Sequence, residues 1–518
     1  MRAARRIESR AMRLKRNKRL TMRTFAAKGA LLGALGVLAC AGMTFTATPV
    51  AAQNIEPNEG PLHEALRDGP LMPSEVLRSS ALTFPSILES FEREAAARSD
   101  QLAADGAFDL MLEAEAYDRL TGTFSGGYAE GKATQPIAPF GGEVFGSYRL
   151  SDGRFPIYEN IYNTNEIGEF KVGALFSLLR NRRIDSRRFS IEDTRLAASQ
   201  ARLDVLLVQL NVQFEALRAY WRWVAAGQEI RVYEELLEIA EARAIGLGRQ
   251  VRAGAIASIA LTENQQNVLL RRSLLEQAKR NFATASNSLS YYLRDEAGRL
   301  MVPTRQQLPA QEQLDELPDM QTLMSLTRSE ILDQRPELRN FRLMLERARN
   351  KVELRRNDLK PNLDLSVELS RDFGPIGDGG PTFDSTDTVV GVTFKVPLQR
   401  RTARGRLQRA EAELREIELR EQRTADQIEV ELDNILENLN AALRIADLAV
   451  DEVEQATTMV AAERKRFRLG AGDFFLVNRR EESAADAQIR AIRAQLDGRL
   501  ASASYSAATM NLEELGLE

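Results

Sequence analysis

One short segment near the C-terminus interrupts an otherwise continuous helical pattern. It reads Arg466-Phe-Arg-Leu-Gly470-Ala-Gly-Asp473-Phe-Phe-Leu476. Glycine accepts a positive φ and cations suit the negative end of a helix, so Gly470 with Arg466 predicts a helix C-terminus. Asp473 is suited to cap the N-terminus of the next helix. The segment therefore predicts a helical hairpin with a tight tip at Gly470.

A long helix is expected before this tip. No proline occurs between residues 398 and 518, and residues 403–468 are rich in Ala, Leu, Glu and Arg. That composition favours a helix, which over this length would extend roughly 100 Å. Apolar residues recur every seven positions in two series offset by three, namely Leu432, Leu439, Ala446, Val453, Val460 and Phe467, and Ile435, Ala442, Ala449 and Ala456. This spacing predicts coiled-coil packing.

The same arrangement occurs earlier in the chain. A proline-free region over 157–302 contains a second glycine tip, Arg249-Gln-Val-Arg-Ala-Gly254, and its heptad pattern slips by one residue near Gly227. The two tip glycines are 216 residues apart, and the similar segments Phe176–Arg183 and Val396–Ala403 are offset by 220. Two pairs of segments with nearly one offset predict an internal duplication.

Each copy has a β signal before its long helix. In the second copy, apolar and polar residues alternate over 361–398, which predicts two strands with one apolar and one polar face. The strands of the first copy are expected within about 108–180, where apolar and polar residues alternate over 169–178 and more weakly around 108–124. The connection 121–170 is rich in glycine and aromatic residues and could hold an extra hairpin near 141–150. In the second copy the apolar face would carry Leu365, Val367, Val392 and Phe394, and the polar face Asp364, Glu368 and Lys395.

Two settings fit these strands. In a soluble sandwich the apolar face would pack on a second sheet. In an outer membrane it would meet lipid, and the polar face would line water. Four strands cannot close a barrel and open edges do not survive in lipid, so the membrane setting requires several chains.

The N-terminus predicts a secretory signal. Residues 1–52 carry 11 Lys or Arg and one acid, then an apolar stretch and the small-residue site Val50-Ala-Ala52. This is the pattern of a cleaved signal peptide. Two alternatives are an uncleaved membrane anchor and a lipoprotein signal, because Val37-Leu-Ala-Cys40 resembles a lipobox. Cleavage after Ala52 would leave no cysteine, which suits an oxidising compartment.

Composition excludes several classes of function. The 518 residues include one histidine, His63, and one cysteine, Cys40, which excludes a Cys/His zinc site and a disulfide framework. No catalytic constellation or cofactor motif is evident, so we expect neither an enzyme nor a cofactor. Beyond residue 52 the chain has 59 basic and 73 acidic residues, a poor composition for binding nucleic acid. The pair Glu481-Glu482 is expected on a solvated helix face.

The order of these signals resembles that of the TolC-like outer-membrane efflux proteins. The similarity extends over about residues 85–518. It includes Arg335-Pro-Glu-Leu-Arg before a helix, Lys360-Pro-Asn-Leu-Asp-Leu at a strand start and Val396-Pro-Leu398 at a strand-to-helix junction. The resemblance implies a mainly α-helical homotrimer with membrane β structure. A 12-stranded β-barrel would lie in the outer membrane of a Gram-negative bacterium and continue as an α-helical barrel in the periplasm.

The resemblance also implies a function. The trimer would be the passive exit duct of a tripartite efflux or type I secretion system. Its partners would be outer-membrane lipid, a periplasmic adaptor and an inner-membrane transporter. The adaptor would dock at the two tips, which carry Arg249, Gly254, Arg466, Gly470 and Asp473.

This interpretation divides the chain into five segments. They are a signal peptide at 1–52, a leader with a first helix at 53–104, a first efflux repeat at 105–300, a linker at 301–330 and a second repeat at 331–518. The helical hairpins would span about 186–293 and about 403–513. The rival interpretation is a soluble periplasmic coiled-coil adaptor or scaffold. An adaptor has one helical hairpin set within β-domains, whereas this chain has two hairpins in tandem.

Overall fold

A computed structural model gives the fold of this chain. It describes residues 69–295, 297–310, 317, 327–382 and 385–517. Contacts divide the chain into Met1–Leu62 and His63–Glu518, and all described residues belong to the second unit. The predicted signal peptide, Cys40 and His63 lie outside the described residues.

The first copy runs from two helices through four strands to a helical hairpin. Pro85 occupies the first position of the second helix, where its missing N–H is not needed, so the leader forms two helices where the sequence predicted one. The elements are α1 (Pro73–Thr83), α2 (Pro85–Asp105), β1 (Met111–Tyr117), β2 (Gly127–Ile137), β3 (Gly142–Asp152), β4 (Gly168–Ser177), α3 (Ser186–Arg252) and α4 (Ser258–Ser290).

The second copy repeats this order with two strands fewer. Its elements are α5 (Arg328–Gln334), α6 (Pro336–Asn357), β5 (Asn362–Phe373), β6 (Asp387–Lys395), α7 (Arg401–Arg468) and α8 (Phe474–Ala508). Pro336 starts α6 as Pro85 starts α2. The buried Arg335 before it donates from Nη1 to the carbonyl of Ala508 at 3.1 Å, which ties the start of α6 to the end of α8.

The two long helices are packed along the predicted apolar seams. Helix α3 has 67 residues and α7 has 68, so each extends roughly 100 Å. On α7 the seam residues Leu432, Leu439 and Val460 are buried. Ala446 and Ala449 pack against alanines of α8, where small side chains allow the helices to approach closely. Within the described residues, no helix combines the length and apolarity that crossing a membrane requires.

All strands in the described part of the chain belong to one antiparallel sheet in the order β1-β2-β3-β4-β5-β6. Strands β4 and β5 come from different copies and pair from Gly168 opposite Phe373 to Ser177 opposite Asp364. The sheet therefore joins the two copies side by side.

The residues that the structure describes contribute six strands to this sheet, whereas the expected 12-stranded trimer requires four per chain. The additional strands are β2 and β3, a hairpin that spans 127–152 and is longer than the segment 141–150 marked in the sequence. Its apolar positions are mostly alanine and glycine, so the alternation is weak. The class of fold, long helical hairpins with one small antiparallel sheet, is as expected.

One core joins the ends of the hairpins to the N-terminal helices. Tyr220 and Trp223 of α3 are fully buried among Leu289, Leu293 and Leu308. The Tyr220 hydroxyl donates to the carbonyl of Leu71 at 2.9 Å. Burial raises the pKa of this phenol well above its ordinary value.

Gly227 of α3 lies at the point where the heptad pattern slips, and it is closely packed. A Cβ at this position would lie 2.4 Å from Cδ1 of Leu308. Glycine therefore leaves room for Leu308 to enter the core.

Gly227→Ala is expected to destabilise the fold by about 1–3 kcal/mol, because the added methyl overpacks the core. The matched control is Gly246→Ala in the same helix, where nothing lies within 4 Å of an added Cβ. There alanine should stabilise the helix by about 0.5–1 kcal/mol. Denaturant unfolding of both variants measures the difference, and equal shifts would contradict this packing.

Candidate functional site

One face of the sheet is mainly apolar and the other mainly polar, although Gln135, opposite Val144, and Arg371, opposite Phe170, lie on the apolar face. Side chains alternate between the faces of a strand, so the register assigns each residue to one side. The apolar face carries Leu112, Ala114, Ala129, Ala133, Val144, Leu150, Phe170, Val172, Phe176, Leu363, Leu365, Val367, Val390, Val392 and Phe394. The polar face carries Glu113, Glu115, Glu130, Lys132, Arg149, Glu169, Lys171, Asp364, Glu368, Asp372 and Lys395.

The structure brings each predicted set of strand residues together. Val392 lies directly opposite Leu365, and Phe394 lies opposite Leu363. Val367 follows two residues after Leu365 on the same side. Asp364, Glu368 and Lys395 all lie on the other side, with Lys395 opposite Asn362.

The apolar face is uncovered. Val390, Val392 and Phe394 are 62%, 64% and 60% exposed. Among the described residues there is a single sheet, so the soluble-sandwich alternative lacks the second layer that it needs. A contiguous apolar patch of this kind marks a surface that meets another apolar phase.

Ion pairs cross the strands on the polar face. Arg149 of β3 lies 2.7 Å from Glu130 of β2 and 3.6 Å from Glu169 of β4. Asp364 of β5 accepts a hydrogen bond of 2.9 Å from the Ser177 hydroxyl of β4. The face is thus a hydrogen-bonded, charged surface suited to contact with water.

The connection between β3 and β4 folds over the polar face at the end of the sheet far from the long helices. Its turn Ile157–Tyr162 places the ring of Tyr162 on that of Tyr128, with 4.7 Å between ring centroids. Arg149 donates to the carbonyl of Ile161 at 2.9 Å. This aromatic segment covers part of the polar face, a role that the composition of 121–170 did not indicate.

The two hairpin tips have the same backbone geometry. Gly254 and Gly470 have φ values of 68° and 73°. In the first tip the N–H of Ala255 donates to Gln250, and in the second that of Ala471 donates to Arg466. The N–H groups of Gly254 and Gly470 donate to the carbonyls of Val251 and Phe467, three residues earlier. These contacts together form the C-terminal cap in which glycine takes the left-handed position.

The tips present basic and apolar side chains to solvent. Arg249, Arg466 and Asp473 are all exposed, and Leu469 is 75% exposed. Asp473 accepts from the N–H of Phe475 at 3.3 Å, which confirms it as the N-cap of α8. The surface of each tip is therefore available for contact with a partner.

A buried ionic cluster joins the two hairpins behind the tips. Glu481 of α8 is 3% exposed and accepts from Arg243 of α3. It also accepts from Arg464 of α7 at 3.0 Å, and Arg271 of α4 lies 3.6 Å away. One carboxylate therefore contacts a cation from each of the other long helices. The expectation that Glu481 lies on a solvated face is wrong.

Arg271 depends most on this carboxylate. It is 1% exposed, and its Nη1 donates to the carbonyl of Leu236 at 2.8 Å. Burial lowers the pKa of its guanidinium, while Glu481 acts in the opposite direction. Among the described residues, no group of three or more His, Cys, Asp or Glu is arranged to hold a metal ion.

Glu481→Gln is expected to destabilise the protein by about 3–5 kcal/mol, because it leaves buried Arg271 without its counter-charge. The control is Glu452→Gln, whose partner Arg490 and own carboxylate are both about half exposed to solvent. That variant should unfold like the parent, since solvent screens the pair. Denaturant unfolding distinguishes them, and equal midpoints for the two variants would contradict the buried cluster.

Comparison by sequence identifies a family for the second copy. Residues 327–509 match the family described as outer membrane efflux protein. No curated protein matches the chain by sequence. The match begins one residue before α5 and ends one residue after α8, so it spans the second copy from its first helix to its last.

Solved structures share the fold over most of the chain. The outer-membrane channel OprN is 16% identical with a TM-score of 0.61, over 84% of this chain and 89% of that one. The outer membrane protein VceC of Vibrio cholerae is 15% identical with a TM-score of 0.57, over 86% and 97%. The CmeC outer membrane channel of Campylobacter jejuni is 14% identical with a TM-score of 0.57, over 86% and 89%. The predicted fold class and family resemblance are confirmed, and the family match over residues 327–509 agrees with the predicted outer-membrane location.

Proposed function

We propose, from the premise that residues 327–509 form an outer membrane efflux protein domain, that this chain is one subunit of a homotrimeric exit duct. The duct crosses the outer membrane of a Gram-negative bacterium and extends into the periplasm. It is a passive part of a tripartite efflux or type I secretion system, and no catalytic role is proposed for it. A periplasmic adaptor connects it to an inner-membrane transporter, which supplies the energy.

One observation carries this proposal: the apolar face of the only sheet among the described residues is uncovered, and its opposite face is charged. A membrane barrel has this division, with apolar side chains towards lipid and polar side chains towards a water-filled lumen. Strands β1 and β6 each have one neighbour in the sheet. Because open edges are not tolerated in lipid, further copies of the chain must complete the wall.

The geometry gives each part of the chain a role in passage. The polar face, with the ion pairs that Arg149 makes across the strands, keeps the lumen wet. Helices α3 and α7 leave the sheet at Ser186 and Arg401 and lead roughly 100 Å away from it, towards the adaptor and transporter. Cargo moves along this path without a chemical step.

The tips are proposed to dock the adaptor. Gly254 and Gly470 follow helices of nearly equal length, α3 and α7, which start at the same end of the strands. Three chains would therefore present six tips at one level. Arg249 and Arg466 give each tip a positive charge, and exposed Leu469 adds apolar area. A partner hairpin with acidic and apolar side chains would fit this surface.

The rival function is a soluble periplasmic adaptor. The exposed side chains of Val390, Val392 and Phe394 argue against it, since a soluble protein would cover such a patch. The two tandem hairpins argue against it as well.

Fractionation of cells tests the proposed function. The protein is expected in the outer-membrane fraction, as an oligomer of three chains that resists SDS until heated. A soluble monomer in the periplasmic extract would overturn the proposal and favour the rival.

A further inference from the structure

We propose that the hairpin β2–β3 is part of the membrane wall, so that three copies of this chain close an 18-stranded barrel. The proposal rests on the trimer proposed above and names the occupant of both open sheet edges: β1 of one copy pairs with β6 of the next. Each chain would contribute all six of its strands. The circumference of the barrel would then be about one and a half times that of a barrel with four strands per chain.

The hairpin is an integral part of the sheet. Strand β2 pairs with β1 from Met111 opposite Thr134 to Tyr117 opposite Tyr128. Strand β3 pairs with β4 from Glu143 opposite Leu175 to Arg149 opposite Glu169. No ladder joins β1 to β4 directly. A wall without the hairpin would therefore lose the β1–β2 and β3–β4 ladders and would need a new ladder between β1 and β4.

Both strands of the hairpin have the dimensions of membrane strands. Each has 11 residues, and a tilted strand needs about 9–11 residues to cross a bilayer. Their apolar side continues that of the sheet with small and apolar residues such as Ala133, Val144 and Leu150. On this side no charged residue occurs from Ala129 to Ile137 in β2 or from Gly142 to Leu150 in β3, a pattern that a hairpin lying outside the wall in water would not need.

Strand β4 is adapted to the presence of β3. On the polar face the ring of Phe145 lies over Gly173, where an added Cβ would be 2.5 Å from the ring. The ammonium of Lys132 in β2 lies 4.9 Å from the centroid of the same ring. These contacts, with the pairs that Arg149 makes to Glu130 and Glu169, lock β2, β3 and β4 in one register.

The turn of the hairpin is fastened where the sheet meets the helices. A Cβ on Gly141 would lie 2.2 Å from the carbonyl oxygen of Asn181, so only glycine allows this approach. The guanidinium of Arg182 lies 5.6 Å from the ring centroid of Phe140. The turn is therefore held at the level at which β4 ends and α3 begins, which is the level that a strand of the wall must reach.

The added strands change the width of the duct at the outer membrane. Strands about 4.8 Å apart and tilted by about 40° give a backbone diameter of about 36 Å for 18 strands, against about 24 Å for 12. The aromatic turn Ile157–Tyr162 folds over the polar face at the far end, where it would lie inside this wider mouth. The wall thus has room for a folded-in segment and for cargo beside it.

Electron cryo-microscopy of the wild-type trimer in lipid nanodiscs tests this directly. We expect 18 strands, with β2 and β3 between β1 and β4 of each chain. A trimer whose wall has 12 strands, with the hairpin outside it, would overturn this inference and leave the proposed function standing. A chain that does not form trimers would overturn the proposed function itself.

Thiol labelling of the hairpin provides a second readout that needs no deletion. Val144→Cys should be shielded by lipid from a membrane-impermeant thiol reagent, whereas Glu143→Cys, on the polar face of the same strand, should react. Strong and equal reaction at both positions in intact trimers would place the hairpin in water and overturn the inference.

Discussion

Val392→Arg is expected to remove the protein from the outer membrane. Val392 lies near the middle of β6, is 64% exposed and faces Leu365 on the apolar side of the sheet. A guanidinium placed in the centre of the lipid phase costs about 2–4 kcal/mol per site, and a trimer would carry three such sites. We expect the yield of SDS-resistant trimers in the outer-membrane fraction to fall at least tenfold.

The neighbouring residue provides the control. Thr393 lies opposite Asp364 on the polar face of the same strand. Thr393→Arg adds the same side chain to a charged, water-lined surface and should leave the trimer yield close to that of the parent. If both variants assemble normally, or both fail to the same degree, the assignment of the two faces is wrong.

Gly470→Trp is expected to abolish export while the trimer remains assembled. Nothing lies within 4 Å of an added Cβ at Gly470 or at Gly254, so the indole would project from the tip and block a partner hairpin. The left-handed backbone at these positions disfavours any side chain, so some loss of stability is expected in addition. The measurement uses a strain from which the gene has been deleted. We would score whether each variant restores the compound resistance or the secretion that the deletion strain has lost, and measure the yield of trimers in the same cells.

Gly298→Trp is the matched control for the tips. Gly298 also has a positive φ, 76°, and no atom lies within 4 Å of an added Cβ, but it belongs to the turn after α4 and not to a tip. This variant should complement like the parent. Wild-type export by Gly470→Trp and Gly254→Trp trimers would show that the tips do not dock a partner.

Much of this fold follows from local patterns. The glycine tips at Gly254 and Gly470 and the heptad seam through Leu439 are set by neighbouring residues, and the structure has them as predicted. The two faces of β5 and β6 follow from the alternation of large apolar side chains with polar, charged or small ones. In each case a few adjacent residues contain the whole signal.

The features that sequence reasoning missed depend on contacts between distant segments. The strands β2 and β3 have glycine and alanine where β5 and β6 have leucine and valine, so their alternation is weak and their place in the sheet comes from pairing with β1 and β4. The burial of Glu481 requires Arg243, which lies 238 residues away in the sequence. No local pattern marks that carboxylate as different from its exposed neighbours.

The central claim is that one face of the sheet meets lipid and the other lines water. Single cysteines at the predicted positions, labelled in intact cells with a membrane-impermeant thiol reagent, test it most directly, since Cys40 is the only native cysteine. Asp364→Cys, Glu368→Cys and Lys395→Cys are expected to react. Leu365→Cys, Val367→Cys, Val392→Cys and Phe394→Cys are expected to stay unlabelled until detergent is added. Equal labelling of the two sets before detergent would contradict the account.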